Sequence, residues 1–213
     1  MKKCVLIQAN GNNERLGKFF DIPKHELFFD GKKILDHILL NCEKLNCDIF
    51  ISIRENTKIN SELKNFKVIE CSQTFNRIDT LEQCLKQLEN YDSVLVLDSD
   101  VIISYEVLKF LNGNSLAVGP YKYDGKKYGF VDVNPSFEYI SGNEKENETN
   151  YITVGAYSFN KKSFLRFLNL KNNRSNESLL NYYNIEKPKI FFSNSHICLG
   201  DINCYMEAIW SSQ

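Results

Sequence analysis

The sequence predicts an α/β fold in which helices flank a mostly parallel central sheet, and two observations support this prediction. In the first half of the chain, apolar runs of strand length alternate at short spacing with segments whose apolar residues recur at helical spacing. Residues 93–97, SVLVL, form a continuous valine and leucine run of the kind found in strands buried on both faces. A sheet of this kind binds its ligand beyond the carboxyl ends of its strands.

The elements follow in a regular order along the first half. The apolar pattern predicts strands at 4–9, 47–53, 66–70 and 93–97, with helices at 34–45 and 80–88. From residue 115 the pattern changes to closely spaced apolar runs separated by turns, which predicts antiparallel strands within 116–121, 128–134, 137–142 and 151–159. Two helices, a strand and a last helix then follow at 163–170, 177–183, 189–192 and 204–210.

Composition excludes several classes of protein. The 26 basic and 27 acidic residues give a net charge of −1, so we expect no sequence-wide attraction to nucleic acid or to an anionic membrane. The seven cysteines are scattered without a C-x-x-C pair, which argues against a disulfide framework or a zinc site. The apolar run at the start is too short for a signal peptide or a membrane span, so we expect a cytoplasmic protein.

A polar loop follows the first predicted strand, with the sequence ANGNNERLG over residues 9–17. A glycine-containing loop in this position can direct backbone N–H groups at phosphate oxygens, and Arg15 could add charge-assisted hydrogen bonds. Pro23 would hold Lys24 near whatever Arg15 binds, an arrangement that suits a triphosphate. A surface turn with a solvated arginine and an exposed lysine would leave the same pattern.

Two pairs of polar residues mark strand ends. Asp98 and Asp100 follow the buried run 93–97, and carboxylates at the mouth of a parallel sheet suit Mg²⁺ that carries phosphates, although Asp100 could also cap a helix. Asp201 or Asn203 could complete the metal shell from the opposite side, or cap the last helix. The three histidines show no triad or metal spacing, and we interpret them as structural or surface residues.

Taken in order, these segments resemble the sugar-nucleotidyltransferase family, whose GT-A-like enzymes activate sugar phosphates or choline phosphate. The family pattern A-A-G-x-G-x-R-L with a later P-K corresponds to residues 9–16 and 23–24, with Asn10 and Asn13 in place of a small residue and the second glycine. Further similar segments are GKKIL at 31–35, LDSD at 97–100, YGFV at 128–131, Glu144-Lys145, and VGAYSF at 154–159.

The resemblance implies a Rossmann-like GT-A fold with a small antiparallel sheet on the acceptor side. It implies one domain over 1–213, with a nucleotide-binding half at 1–114 and an acceptor-binding half at 115–213. Each functional group then has an expected set of residues: nucleotide-binding Ala9, Asn10, Gly11, Asn12 and Asp98; catalytic Arg15, Lys24 and Lys145; acceptor-binding Glu144, Lys145 and Gly155; and Mg²⁺-binding Asp100 and Asp201.

Residues 76–81, NRIDTL, are similar to the N-N-x-Y-S-L run of choline-phosphate cytidylyltransferases, which adds Asn76 and Thr80 to the nucleotide site and favours CTP. The resemblance therefore implies CMP transfer from CTP to a small phosphorylated acceptor, with release of pyrophosphate, for surface polysaccharide biosynthesis. Choline phosphate, polyol phosphates and sugar 1-phosphates all remain open as acceptors, and so does the oligomeric state. A GT-A glycosyltransferase and a non-catalytic nucleotide-binding module are the alternatives.

Overall fold

A nine-stranded mixed sheet forms the centre of the fold. It is seen in a computed structural model that describes residues 2–11, 19–20, 22–72, 76–120, 129–143, 151–169 and 178–211. The strands in these ranges are β1 (Lys3–Gln8), β2 (Phe28–Phe29), β3 (Lys32–Lys33), β4 (Asp48–Arg54), β5 (Lys67–Cys71), β6 (Ser93–Asp98), β7 (Val101–Ile102), β8 (Ser115–Pro120), β9 (Phe130–Val133), β10 (Tyr139–Asn143), β11 (Tyr151–Asn160), β12 (Lys189–Phe192) and β13 (Ile197–Cys198). The helices are α1 (Ile34–Glu43), α2 (Arg77–Gln87), α3 (Tyr105–Leu108), α4 (Lys161–Asn169), α5 (Leu179–Glu186) and α6 (Ile202–Ser211).

The first half of the chain supplies four parallel strands in the order β5-β4-β1-β6. Gln8 at the end of β1 lies in register with Asp98 at the end of β6. The carboxyl ends of these two strands are therefore neighbours at one edge of the sheet. The predicted parallel arrangement is confirmed, and the observed strands start or end within a few residues of the predicted ones.

The second half of the chain joins the same sheet. Strand β11 pairs antiparallel with β6, β8 and β9, while β10 pairs antiparallel with β9. Strand β12, predicted as a strand without a pairing direction, pairs parallel with β8. Two small antiparallel sheets, β2 with β3 and β7 with β13, lie outside the main sheet and were not predicted, because a two-residue strand leaves no periodic pattern.

Apolar residues cover both faces of the central strands. Leu6 of β1 and Val96 of β6 belong to one hydrophobic cluster, while Ile7 and Leu97, one residue further along, belong to the other. This alternation is what a strand covered by helices on both faces requires, since successive side chains point to opposite faces. The α/β fold class is thereby confirmed.

The helices begin where the sequence offers local signals. Helix α1 carries buried residues one and four positions apart, so that a single apolar face packs on the sheet. Helix α2 begins after Asn76, whose side chain accepts a hydrogen bond from the backbone N–H of Asp79 over 2.8 Å. None of the helices in the described ranges is long and apolar enough to cross a membrane.

Candidate active site

A pocket of about 230 Å³ opens at the carboxyl end of β6, between the two halves of the sheet. It is polar on the β6 side and increasingly apolar towards α5. Its lining residues come from far apart in the chain and are Arg77, Asp98, Asp100, Val101, Gly129, Ile152, Thr153, Val154, Gly155, Tyr157, Ser178, Leu179, Leu180, His196, Cys198 and Gly200.

Asp98, the last residue of β6, forms an ion pair with Arg77 at the start of α2. The guanidinium carbon of Arg77 also lies 5.1 Å from the centroid of the Tyr157 ring, within the range of a cation–π interaction. The Tyr157 hydroxyl and the Thr153 hydroxyl form a hydrogen bond over 3.1 Å, which fixes the ring from its other end. Arg77 is thus held between a carboxylate and an aromatic face.

Gly155 packs directly against Asp98. The register of β11 against β8 shifts between Thr153 and Tyr157, and Gly155 within that bulge has φ +74°. A Cβ atom at this position would lie 3.0 Å from Oδ2 of Asp98 and 3.1 Å from Cγ2 of Val101. Glycine therefore satisfies both the left-handed backbone and the close approach of the carboxylate.

Asp100, two residues further on, is paired with Lys24. Nζ of Lys24 donates hydrogen bonds to Oδ2 of Asp100 over 3.0 Å and to the carbonyl oxygen of Gly200 over 2.8 Å. The two side chains are only 15% and 16% exposed, so the pair is shielded from most of the solvent. The structure thus brings together Lys24, predicted for the triphosphate, and Asp100, predicted for the metal.

A short 3₁₀ turn, Lys24–Glu26, holds Lys24 in place after Pro23. Glu26 pairs with Lys33 over 2.7 Å and accepts a hydrogen bond from the backbone N–H of Asn60 over 3.0 Å. The ring of His25 is buried, and this burial lowers the pKa of the imidazole from its ordinary value of 6.5. The two residues that follow the lysine, His25 and Glu26, therefore anchor the turn.

Asp201 lies at the start of α6, immediately after Gly200. Its Oδ1 accepts a hydrogen bond from the backbone N–H of Cys204 over 3.0 Å, as a helix-capping aspartate does. Gly200 in turn packs so closely on Asp100 that a Cβ atom there would lie 2.9 Å from Oδ2 of Asp100. Asp201 thus follows a residue that contacts Asp100, while Asn203 is exposed on α6.

The oxygen donors at this point fit a hard divalent cation, because Mg²⁺ is bound through one or two carboxylates together with phosphates and water. Asp100 offers a second carboxylate oxygen besides the one that accepts from Lys24. Within the described ranges, no group of three or more histidine, cysteine, aspartate or glutamate side chains is arranged for a metal. A metal here would depend on the nucleotide for much of its coordination.

The backbone after β1 remains hydrogen-bonded to β4. The Ala9 N–H donates to the carbonyl of Ser52 over 2.9 Å, and Nε of Arg54 donates to the carbonyl of Asn10 over 3.0 Å. The Ser52 hydroxyl also donates to the side-chain oxygen of Asn10. Gly11 is exposed beyond this point. Asn10, which stands where the family pattern has a small residue, is therefore held against β4 by hydrogen bonds from Ser52 and Arg54.

Asn76 and Thr80 occupy structural positions at the start of α2. The Asn76 side chain caps the helix, and the Thr80 hydroxyl donates to the Asn76 carbonyl over 3.3 Å. Thr80 is buried, at 3% exposure. Asn12, Arg15, Glu144 and Lys145 lie outside the described residues.

Two polar pocket residues, Arg77 and His196, were not predicted to belong to the site, and His196 was interpreted as a structural or surface residue. Arg77 is part of the NRIDTL segment, but its partner Asp98 is 21 residues away and only the fold brings them together. His196 lines the pocket, with Nδ1 3.0 Å from the Ser193 carbonyl oxygen and the ring against Gly119. A charged residue beside a helix cap is the one signal that could have drawn attention to Arg77.

A mostly parallel sheet flanked by helices, with acidic residues at the end of β6 and a lysine facing them, is an α/β architecture of the GT-A-like kind. The nucleotidyl transferase family profile matches residues 19–191, which is most of the chain. The chain therefore belongs to the nucleotidyl transferase family. No curated protein sequence matches it significantly.

Solved structures share the fold at low sequence identity. A UDP-glucose pyrophosphorylase complexed with UDP-glucose is 17% identical, with a TM-score of 0.81 and coverage of 100% of this chain and 98% of that one. The inositol-1-phosphate CTP transferase from T. maritima is 14% identical, with a TM-score of 0.74 and coverage of 98% and 95%. HddC from Yersinia pseudotuberculosis is 20% identical, with a TM-score of 0.70, and both chains are covered completely.

Proposed function

We propose that this nucleotidyltransferase transfers CMP from CTP to a small phosphorylated acceptor and releases pyrophosphate. The observation that carries the proposal is the Lys24–Asp100 pair at the pocket's edge, because a cation and a carboxylate at the end of β6 are what a metal-bound triphosphate requires. The reaction would take place in the cytoplasm and would supply an activated precursor for surface polysaccharide.

The proposed chemistry is a direct displacement at the α-phosphorus. A phosphate monoester has its second pKa near ~6 and is largely dianionic at neutral pH, so it needs no general base. One of its oxygens forms a bond to the α-phosphorus, and the bond from that phosphorus to the oxygen bridging to the β-phosphate breaks. The electron pair leaves with pyrophosphate.

Charge is the main barrier in this step, because two polyanions must meet. Mg²⁺, held by Asp100 together with Asp201 or Asn203, would neutralise part of the triphosphate charge. Lys24 balances Asp100 in the structure and would donate to phosphate oxygens bound beside it. By the family resemblance, Arg15 would bind the triphosphate, while Glu144 and Lys145 would contact the acceptor.

Polar atoms at the end of β1 support binding of a base at this edge of the sheet. Among the described residues, Oε1 of Gln8 and Nδ2 of Asn10 are buried without a hydrogen-bond partner. Such atoms are costly unless something satisfies them. One acceptor and one donor suit the edge of a pyrimidine, and the similarity of residues 76–81 to cytidylyltransferases favours cytosine over uracil.

The test is a matrix of CTP, UTP, GTP and dTTP against choline phosphate, polyol phosphates and sugar 1-phosphates, with pyrophosphate release as the readout. We expect turnover that depends on both a nucleotide and a phosphorylated acceptor, with CTP preferred. Turnover at least about tenfold faster with another nucleotide would reject the choice of CTP. No pyrophosphate release from any pair, together with hydrolysis of or transfer from a nucleotide sugar supplied in a parallel assay, would support the glycosyltransferase alternative. Nucleotide binding without turnover in either assay would support the non-catalytic one.

Two substitutions test the separation of the nucleotide and acceptor subsites. Arg15→Ala should weaken CTP binding in calorimetric titrations without an acceptor, because its guanidinium is expected at the leaving pyrophosphate. Lys145→Ala should raise the acceptor KM or lower kcat while CTP affinity stays nearly unchanged. Equal losses of CTP affinity in both variants would contradict separate subsites.

A further inference from the structure

Each of the two carboxylates that line the pocket is paired with a cation. Asp100 forms its ion pair with Lys24 at 3.0 Å, and Asp98 forms one with Arg77. Both aspartates and Arg77 line the pocket itself. Among the described residues, each carboxylate that lines the pocket is therefore paired with a cationic side chain, and the second oxygen of Asp100 is the one proposed for Mg²⁺.

The aromatic face in the pocket is occupied as well. An ammonium group is recognised by an aromatic ring with a carboxylate nearby, and Tyr157 with Asp98 would form such a site. The Arg77 guanidinium lies between them instead, 5.1 Å from the ring centroid and in contact with the carboxylate. A cationic ligand would have to displace Arg77 from both partners.

Apart from Asp98, Asp100, Arg77 and His196, the pocket residues that the structure describes carry uncharged side chains. Thr153 and Ser178 bring hydroxyl groups, and Leu179, Leu180 and Ile152 bring apolar side chains. This wall can hydrogen-bond to hydroxyl groups of a ligand and can pack against its carbon skeleton. It adds no negative charge that could offset the charge of Arg77.

We propose that Arg77 acts as a charge filter in the acceptor pocket, excluding phosphate monoesters that carry a fixed positive charge and admitting those whose alcohol part is uncharged. This inference rests on the proposed function, since it assumes that the pocket holds the acceptor. It removes choline phosphate from the acceptors that the sequence leaves open and favours polyol and sugar phosphates. Arg77 acts here as a specificity-determining residue.

The experiment compares two phosphates that differ only in charge. Choline phosphate and 3,3-dimethylbutyl phosphate have nearly the same shape, but a quaternary nitrogen in the first replaces a carbon in the second. Each is titrated calorimetrically into the full chain with Mg²⁺ and a CTP analogue whose α,β-bridging oxygen is a methylene group. We expect the neutral ester to bind at least about tenfold more tightly. Equal affinities, tighter binding of choline phosphate, or no measurable binding of either ester would overturn the filter.

Substitution of Arg77 provides the second arm. Arg77→Met removes the charge but keeps an unbranched side chain, so Asp98 and the Tyr157 face become available to a cation. The affinity ratio should shift by at least about tenfold towards choline phosphate, while Arg77→Lys should keep the original preference. Arg166→Met, an exposed change on α4, is the matched control and should leave the ratio unchanged. An unchanged ratio in Arg77→Met would reject the proposal.

Both titrations measure binding affinity and do not depend on turnover. Thermal unfolding shows whether Arg77→Met folds. If it does not fold, the affinity ratio of the two esters for the unsubstituted chain still tests whether the pocket prefers the neutral ester. The neutral ester could bind more tightly although no pair of nucleotide and acceptor releases pyrophosphate. That result would count against the proposed function but would still support the charge filter. Turnover with choline phosphate as the best acceptor would confirm the proposed function and reject the filter.

Discussion

Lys24 and Asp100 are 76 residues apart in the chain, and their side chains meet at 3.0 Å where β6 ends. The same ammonium group also donates to the carbonyl of Gly200. One lysine therefore connects the turn after the first loop, the acidic end of the central strand and the segment before the last helix. Its position depends on all three.

The first prediction concerns Asp100. Asp100→Ala should lower Mg²⁺-dependent turnover by several orders of magnitude while the fold is retained, because the carboxylate lies at a strand end outside the apolar core. Steady-state pyrophosphate release over a Mg²⁺ titration, with circular dichroism to follow folding, is the measurement. Glu106→Ala removes an exposed carboxylate on α3 and should be neutral. Activity of Asp100→Ala within about tenfold of the unsubstituted enzyme would reject Asp100 as a metal ligand.

The second prediction concerns Gly155. Alanine there would meet the left-handed backbone and would press on Asp98 and Val101, so both stability and turnover should fall. Gly113→Ala is the control, because Gly113 also has positive φ, +57°, but has nothing within 4 Å of the new Cβ atom. We expect each variant to lose roughly 1–2 kcal/mol of unfolding free energy from the backbone conformation, with a further loss in Gly155→Ala. Only Gly155→Ala should lose activity, and equal activity in both variants would show that Asp98 tolerates displacement.

The third prediction separates two roles of Asn76. As a helix cap, Asn76→Ala should cost about 1 kcal/mol of unfolding free energy, while Asn76→Asp should retain most of it, because an aspartate also accepts from the N–H at position 79. Chemical denaturation measures this difference. If Asn76 also contacts the base, CTP affinity should fall in both variants. Unchanged affinity in both would leave Asn76 with the capping role alone.

The fourth prediction concerns pH. Burial lowers the pKa of His25 in the folded chain, so below its ordinary value of 6.5 the unfolded chain binds a proton that the folded chain does not. The free energy of unfolding should therefore decrease as the pH falls through 6.5 and should level off below the folded pKa. Denaturation curves over this range measure the slope. His25→Gln should flatten it, and an equal slope in His25→Gln would assign the effect to other groups.

Strand positions could be predicted from the sequence because a buried strand imposes a strong local pattern. Residues 94–97 are all apolar, and the two aspartates after them fall at the carboxyl end of the strand by chain order alone. Gly155 was expected in the acceptor site from the family resemblance, and the structure adds that it packs on Asp98.

Pairings across the fold could not be predicted in the same way. Arg77 contacts Asp98 only because α2 starts beside the end of β6. The sequence of residues 76–81 contains no signal that predicts this contact. His196 lies in the pocket because its ring packs on Gly119 of β8, which is 77 positions away in the sequence. Contacts of this kind follow from strand order, which local periodicity does not encode.

The contact between Lys24 and the Gly200 carbonyl spans 176 residues, and it has a consequence for how the protein is made. During synthesis, the turn that carries Lys24 emerges from the ribosome long before the segment that completes its surroundings. The edge of β6 that pairs with β11 likewise stays unpaired until β11 has been synthesised. The nascent chain must therefore keep an open sheet edge and an incomplete lysine site for most of translation, and native pairing there can finish only after residue 200 has left the exit tunnel.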